Sequence, residues 1–493
     1  MAPVSTTAFD LRRHAREAPQ RLAIVCAQET LSYAALEALA NRLAAVLRAR
    51  GLVRGDHITS LLGNGALALA VAWAAWRTGL YLTPLPTTAS ADELRYLVAD
   101  CDAKLVLVDE GVVPAALPTL FLNPALLMDA SPLPADDEPP GALMMYTSGT
   151  TGSPKGVWRP LLAADWRGTP PFAADLIALF GIGGSDVRYL STAPLYHAAP
   201  LRTALAVTAG GGTVFVMQRF DADAALHLLQ AEAITHSQWV PAMFQRLLAL
   251  PAHVRAAFKS PAHRCAIHGA APCPASLKQS MIDWWGPILL EYYSGSEGVG
   301  LTLIDSHEAL QRPGSVGRAR KGVLHIVDAA GAELPPGRSG LICFAGASPF
   351  DYYKAPEKTA QRTTPQGWRT FGDIGHVDAD GYLYLTDRLD DMIISGGVNV
   401  YPQEIEKVLR EAPGVWDCAV VGQADEKFGE RPVAFVVAAR GTTLSLDVLR
   451  IWCETRLGRS KQPAAFHVID TLPRSPTGKL LRRQLRTQAS AAS

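Results

Sequence analysis

The sequence has no C-x-x-C pair, and its seven cysteines (26, 101, 265, 273, 343, 418 and 453) are widely spaced. Neither a disulfide framework nor a structural zinc site fits that pattern, and the cysteines read as small buried apolar residues. Long apolar runs are missing too: the longest, Ala66 to Trp76, has eleven residues, against about 20 for a bilayer-crossing helix. No membrane span is expected. Net charge is also absent, 46 Lys plus Arg balancing 46 Asp plus Glu, so no global field draws the chain to nucleic acid or an anionic membrane, and an anionic ligand must be held by a local site. There is no internal repeat, and the one loosely composed stretch, 131–141, reads as an exposed connector. Asp10 and the arginines at 12, 13 and 16 stand where a signal peptide has its apolar stretch, and the last residues are not a peroxisomal address, which leaves the cytoplasm as the expected compartment. G-x-S-x-G, H-E-x-x-H and K-x-D-G are all lacking, and the G-x-G at Gly181 to Gly183 has Asp186 in place of its third glycine, so a hydrolase elbow, a zincin, a nucleotidyl-lysine ligase and a dinucleotide fold are set aside.

What is present is a long chain, 493 residues with 48% apolar and 19% charged residues, enough for two to four packed units and far from the composition of disorder. From about residue 20 to 300, apolar β-rich runs (LAIVCA, KLVLVD, ALMMYT, RYLSTAPL, GTVFVM, SQWV, CAIHG, ILLEYY) alternate with helical patterns such as DADAALHLLQAEA and PASLKQSMIDWWG. The spacing predicts an α/β domain with largely parallel sheets. From Val316 to Tyr384 short runs split by turn signals, Asp380-Gly381 the strongest, predict a small antiparallel β unit. After Asp387 a fresh helix-strand-strand-helix-strand pattern predicts a small α+β domain. The expected organisation is therefore residues 1–387 as a large N-terminal domain and 388–493 as a small C-terminal one joined by a hinge.

The most informative stretch is Tyr146-Thr-Ser-Gly-Thr-Thr-Gly-Ser-Pro-Lys155-Gly156, which follows a predicted strand. Glycines permit close approach, hydroxyls donate and lysine supplies charge, which is what a backbone needs to wrap phosphate. It is not a Walker A loop: Gly149 and Lys155 have that spacing, but Pro154 and Gly156 replace its second glycine and its magnesium-holding hydroxyl. By composition alone, a flexible polar loop is an equal alternative. The string resembles the phosphate signature of adenylate-forming enzymes, the superfamily of acyl-CoA synthetases, non-ribosomal adenylation domains and luciferases. Six more segments match in that family's order: Pro194-Leu-Tyr-His197, His268-Gly-Ala-Ala-Pro272, Glu291-Tyr-Tyr-Ser-Gly-Ser-Glu297, Gly367-Trp-Arg-Thr-Phe-Gly-Asp373, Thr386 to Gly397, and Leu472 to Lys479. Acyl-CoA synthetases are the branch the chain resembles most.

The resemblance implies attack of a carboxylate on the ATP α-phosphate, giving acyl adenylate and pyrophosphate, then transfer of the acyl group to coenzyme A. Two anions must be positioned and neutralised, so cations and oriented donors are required. It implies that Thr147, Ser148, Gly149, Thr150, Thr151, Gly152 and Lys155 hold phosphates, and that Glu297 with Thr147 ligates Mg²⁺. Ala270, Ala271, Glu291, Tyr292 and Tyr293 would wall the adenine and ribose. Asp373 would accept from the ribose hydroxyls beside Arg388, and Ser296 keeps the hydroxyl of the family's usual Thr. Lys479 would bridge carboxylate and α-phosphate, Asp390 would be the hinge, and His197, Trp239 and Met243 would line the pocket for an apolar acid. Ser395, Gly396, Gly397, Phe428 and Lys461 would meet coenzyme A. Ser294 replaces a common glycine and Phe371 a common Thr.

Taken as bare residues, several of these have plainer readings. Arg474, Lys479, Arg482, Arg483 and Arg486, with no acid after Asp470, look like a solvated or polyanion-contacting tail. Phe428 suits a core, Lys461 an exposed helix end. Two other functions are weighed: an adenylating enzyme loading an amino acid or a carrier protein, and a non-catalytic nucleotide-binding protein. His197 stands where amino-acid adenylators keep an Asp for the substrate ammonium, and an unpaired ammonium there would be costly. The full set Lys479, Glu297, Asp373 and Arg388 speaks against a non-catalytic protein. The acid's identity and a homodimer are left open by the sequence.

Overall fold

The computed structural model describes residues 10–491 except 28, 110–116, 124–125, 127–138, 148–153, 167, 347–348, 397, 427 and 475–479. Ser148, Gly149, Thr150, Thr151, Gly152, Gly397 and Lys479 therefore lie outside the described residues.

Every run read as a strand forms strand structure, ALMMYT splitting into two short strands, and six of the eight runs fall in a nine-stranded sheet. Its six central strands, Leu289–Tyr293, Cys265–His268, His236–Trp239, Arg188–Ser191, Thr213–Val216 and Leu22–Cys26, are mutually parallel, with antiparallel strands at both edges. A second sheet, wholly parallel, has Thr119–Phe121, Ala103–Val108, His57–Leu61, Tyr81–Pro84 and Ala142–Leu143 in that order. The helices Ala66–Arg77 and Ala198–Gly210 share one continuous apolar cluster with residues of both sheets, so they are sandwiched between them. This explains the eleven-residue apolar run. A helix covered on every side needs no polar face, and nine of the twelve residues of Ala66–Arg77 are buried. The outer face of the large sheet is covered by Ala222–Ala231, Pro241–Leu248 and Ala275–Trp285. The first of these starts as its sequence suggests, Asp221 accepting a hydrogen bond from the Ala224 backbone N–H at 2.9 Å.

The predicted antiparallel unit is a four-stranded sheet, Val323–Val327, Gly340–Ala345, Asp373–Val377 and Leu383–Arg388. Its last hairpin turns at Asp380-Gly381, where glycine takes φ +80°. From Ile393 onward the chain buries two apolar clusters of its own, around Val398–Val400, Ile393–Ser395, Gly429–Ala438 and Val415–Asp425, with Ala465–Val468 added in parallel. The protein is thus a large N-terminal α/β domain with small antiparallel sheets and a small C-terminal α+β domain. No helix of the described residues is long and apolar enough to cross a membrane.

Candidate active site

The phosphate-loop candidate is the connection of a hairpin. Met145–Thr147 and Lys155–Trp158 pair antiparallel with Thr147 directly opposite Lys155, so the first hydroxyl and the lysine of the motif are held side by side. A third short strand, Asp351–Tyr352, pairs with the second, Tyr352 opposite Val157. Tyr352 then links two motifs. Its ring lies 5.2 Å from Lys155 Nζ, and its hydroxyl donates to Glu297 Oε1 at 2.8 Å. Arg159 Nη2 donates to the Glu297 backbone carbonyl, and Gly295 approaches so closely that an added Cβ would sit 2.7 Å from Phe371 and 2.9 Å from Glu297 Oε2. Ser294 needs no left-handed backbone; its hydroxyl closes the loop on the Gly300 carbonyl at 2.7 Å.

A second cluster is set by strand register. Asp373 and Arg388 are cross-strand partners, with Arg388 Nε 3.1 Å from Asp373 Oδ1. The other carboxylate oxygen of Asp373 accepts from the Tyr293 hydroxyl at 2.7 Å. Phe371 turns its ring into the core against Tyr293 and Phe344, while its carbonyl accepts from Arg388 Nη2 at 3.2 Å. Replacing the family's Thr with Phe thus adds packing behind the site. Ala270 has φ +68°, a left-handed conformation that costs a non-glycine residue about 1–3 kcal/mol and concentrates at ligand-contacting turns. Beside it, an added Cβ on Gly269 would meet the Tyr292 carbonyl at 2.7 Å. Ala270, Ala271, Tyr292 and Tyr293 therefore lie around the ends of neighbouring parallel strands, Cys265–His268 and Leu289–Tyr293, where α/β sheets bind ligands.

Three expected site residues, Glu291, Trp239 and Met243, are buried. Glu291 does not face this edge: it is buried in an ion pair with Lys278 of the Ala275–Trp285 helix. Burial pushes its carboxyl up, Lys278 opposing. Trp239, 1% exposed, packs among Phe220, Phe244 and Trp285 and donates to Ser237 Oγ at 2.6 Å. Met243 belongs to the same cluster, its sulfur accepting from Thr192 Oγ1 at 3.2 Å. Both are enclosed by these neighbours. His197 stands at the N-cap position of the helix Ala198–Gly210 without a side-chain capping bond; its Nε2 is buried with no hydrogen-bond partner among the described residues, and burial pulls its imidazole down to about 4, so it is neutral at pH 7.

The sequence reading missed Tyr352, Arg159 and Arg202. Arg202 is the one charged residue of an otherwise apolar helix, a signal that was available. Among the described residues it makes no hydrogen bond or ion pair, and burial with the neighbouring Arg159 pulls its guanidinium down to about 10, Glu297 opposing. In the C-terminal domain Ser395, Gly396 and Phe428 come together. Ser395 pairs with Gly429, the Gly396 N–H donates to the Phe428 carbonyl at 2.8 Å, and the Phe428 side chain is 39% exposed, which ends its reading as a core residue. Lys461 is paired with Glu404 at 2.5 Å. Asp390 falls in the short turn Leu389–Asp391 between the two domains' sheets.

Among the described residues no three of His, Cys, Asp and Glu converge into a metal cage. Glu297 and Thr147 offer hard oxygen donors, and Mg²⁺ characteristically takes one or two protein oxygens with the rest from water and substrate phosphates. The donor set fits that ion.

This combination of a parallel-sheet domain, a hydroxyl- and glycine-rich hairpin loop at its edge and a small tethered domain is the architecture of adenylate-forming enzymes. The chain belongs to the AMP-binding enzyme family: that description matches residues 11–354 and its C-terminal domain matches residues 404–479. It is 35% identical to a feruloyl-CoA synthase from an Amycolatopsis species over 96% of this chain and 97% of that protein. It is 33% identical to a fatty acid–[acyl-carrier-protein] ligase from Streptomyces coeruleorubidus over 98% of this chain and 95% of the relative. Among solved structures, the o-succinylbenzoate CoA synthetase of Bacillus subtilis with its acyl-adenylate intermediate superimposes with a TM-score of 0.83 at 28% identity, covering 97% of both chains.

Proposed function

We propose that this protein is an AMP-forming carboxylic acid:CoA ligase. The observation that carries the reading is the bridge Lys155–Tyr352–Glu297 standing with the Tyr293–Asp373–Arg388 cluster. Lys155 supplies a cation for the phosphates in this reading, Glu297 a carboxylate for the metal and Asp373 a carboxylate for the ribose. In this reading Thr147 to Gly152 and Lys155 cradle the phosphates, Ser296 adds a hydroxyl, and Asp373 accepts from the ribose with Arg388 holding it in place. Bound Mg²⁺ at Thr147 and Glu297 would offset phosphate charge. Catalysis is then chiefly positioning and electrostatic preorganisation: Lys479 meets both reacting anions at once. Neutral His197 fronts the acyl pocket, with Trp239 and Met243 as its closed apolar floor. The domain boundary lies at 387/388, and rotation about Asp390 brings Ser395, Gly396, Gly397, Phe428 and Lys461 to coenzyme A. A fatty or aryl acid suits the apolar floor.

The test is product analysis with ATP and CoA over short, medium, long and aryl acids. The expected result is thioester, AMP and pyrophosphate in equal amounts, abolished when Mg²⁺ is chelated. ADP and phosphate as products would sink the adenylate mechanism. Acylation of a holo-carrier protein in preference to CoA would favour the second reading, which the carrier-protein ligase among the relatives supports.

Asp390→Pro checks the hinge. Proline fixes φ near −65° and restricts Leu389 before it, so this variant should form acyl adenylate and pass it to CoA very slowly, whereas Asp390→Ala loses little in either step. Single-turnover measurement of each half-reaction, with a melting curve beside it, decides the point; a proline variant with full overall turnover would move the pivot elsewhere.

A further inference from the structure

The backbone of Tyr352 is held on two sides. Tyr352 pairs with Val157 of the strand Lys155–Trp158, and its N–H donates to Thr359 Oγ1 at 2.9 Å. The side chain is held along its length as well: Tyr352 is 5% exposed and its ring packs edge-to-face against Phe350 at 5.4 Å, inside the apolar cluster that contains Val157, Val299, Phe344 and Phe371. A side chain fixed at its root by strand pairing and along its ring by close packing keeps one rotamer. Its hydroxyl therefore stands in one place.

At that place is Glu297. The Tyr352 hydroxyl donates to Glu297 Oε1 at 2.8 Å, and burial, with the Glu297 charge beside it, pushes the phenol above its ordinary range, so it remains a donor at neutral pH. A hydrogen bond to an ionised carboxylate is roughly twice as strong as one between neutral groups. Glu297 is held elsewhere too: Arg159 Nη2 donates to its backbone carbonyl, and Gly295 approaches so closely that a Cβ there would lie 2.9 Å from Oε2. With its backbone tied to the arginine and Oε1 tied to the tyrosine, the carboxylate has a set orientation, and Oε2 makes no hydrogen bond among the described residues. The face of the same tyrosine ring lies 5.2 Å from Lys155 Nζ, within the roughly 6 Å over which a ring attracts a cation.

We propose that Tyr352 is a positioning residue for nucleotide binding: its hydroxyl fixes the orientation in which Glu297 meets the metal that accompanies the phosphates. The inference rests on the role assigned to Glu297 above. A hydrogen bond to a ligating carboxylate governs metal affinity by about 10–100-fold, because a carboxylate left unheld must be ordered at the moment of binding. The neighbouring Tyr353 is the control, since it makes the same kind of bond to a different carboxylate, its hydroxyl donating to Asp102 at 2.9 Å.

The experiment uses the full chain and four variants: Tyr352→Phe, Tyr353→Phe, Glu297→Gln, and Tyr352→Phe combined with Glu297→Gln. Phenylalanine keeps the ring, its packing and its place beside Lys155, so Tyr352→Phe isolates the hydroxyl. Without acid or coenzyme A, so that no turnover occurs, calorimetry gives the affinity of each for ATP with excess Mg²⁺, for ATP with a chelator and for AMP, and the melting temperature is measured beside it. The expected result is MgATP bound about 10–100-fold more weakly by Tyr352→Phe, metal-free ATP and AMP bound as in wild type, and Tyr353→Phe unchanged throughout. Because the hydroxyl acts through Glu297, adding Tyr352→Phe to Glu297→Gln should cause no further loss. Equal weakening of all three nucleotides, tracking lost stability, would make Tyr352 merely structural and overturn the proposal. Unchanged MgATP binding in Tyr352→Phe, or losses that add in the double variant, would overturn it as well. If Glu297→Gln itself binds MgATP as wild type does, the metal assignment of Glu297 fails first and takes the tyrosine's role with it.

Discussion

Lys479→Ala should slow acyl-adenylate formation by about 10²–10³-fold, the effect typical of deleting one preorganised charge-stabilising donor, while thiolysis of supplied acyl adenylate stays nearly intact. The asymmetry follows from the proposed two orientations of the C-terminal domain: a lysine carried on it faces the reactants in one orientation and is withdrawn in the other. Both reactants of the first step are anions, so removing the bridging cation leaves their repulsion uncompensated at the moment of attack. The second step joins a thiol to an already activated carbonyl and makes no such demand on it. Pyrophosphate exchange and thiolysis measured separately check this, and equal loss in both would point to damage of the fold.

Lys278→Met should give the largest loss of stability. Removing one partner of a buried ion pair strands the other charge, at a cost of about 3–5 kcal/mol, and here the stranded group is Glu291, buried beneath the edge that carries Tyr292 and Tyr293. The pH dependence has a definite sign. Burial already raises the Glu291 carboxyl with Lys278 opposing, so without the lysine the folded-state value rises further above that of the unfolded chain. The folded protein then holds a proton that the unfolded chain has lost, and the variant's deficit shrinks as pH falls and grows as pH rises. Melting curves between pH 5 and 8, on the order of the range over which a buried carboxyl titrates, test this. Adding Glu291→Gln to the variant should restore most of the loss at high pH; a deficit independent of pH in the single variant would show that packing, not charge, is what Lys278 supplies.

Much of the architecture was legible from the residues. Period and composition marked the strands from LAIVCA to ILLEYY because a strand enclosed between helices must be apolar throughout, and Asp380-Gly381 marked its hairpin because glycine accepts the left-handed turn. His57–Leu61 and Tyr81–Pro84 escaped. Both are central or near-central strands of the smaller sheet, but HITSL and YLTP carry polar residues whose burial depends on bonds made elsewhere, as when Thr83 donates to the Met144 carbonyl at 2.9 Å. Trp239 and Met243 were read as pocket residues from their family position; that Trp239 packs against Phe220 and Trp285 as well as the nearby Phe244, with Met243 in the same cluster, was settled only by the packing.

The candidate site residues came from the resemblance of seven segments to one family: by composition alone the hydroxyl-glycine-lysine loop reads equally as a flexible polar loop, and Lys479 as one of five basic residues in a solvated tail. The choice of partners was settled only on folding. That Tyr352 joins Lys155 to Glu297, that Lys278 claims Glu291, and that Arg482 reaches back to Glu406 and Asp391 are consequences of strand register and helix packing between residues 13 to 197 positions apart. Coulombic and hydrogen-bond energies depend on distance in space, and separation along the chain carries almost none of that information.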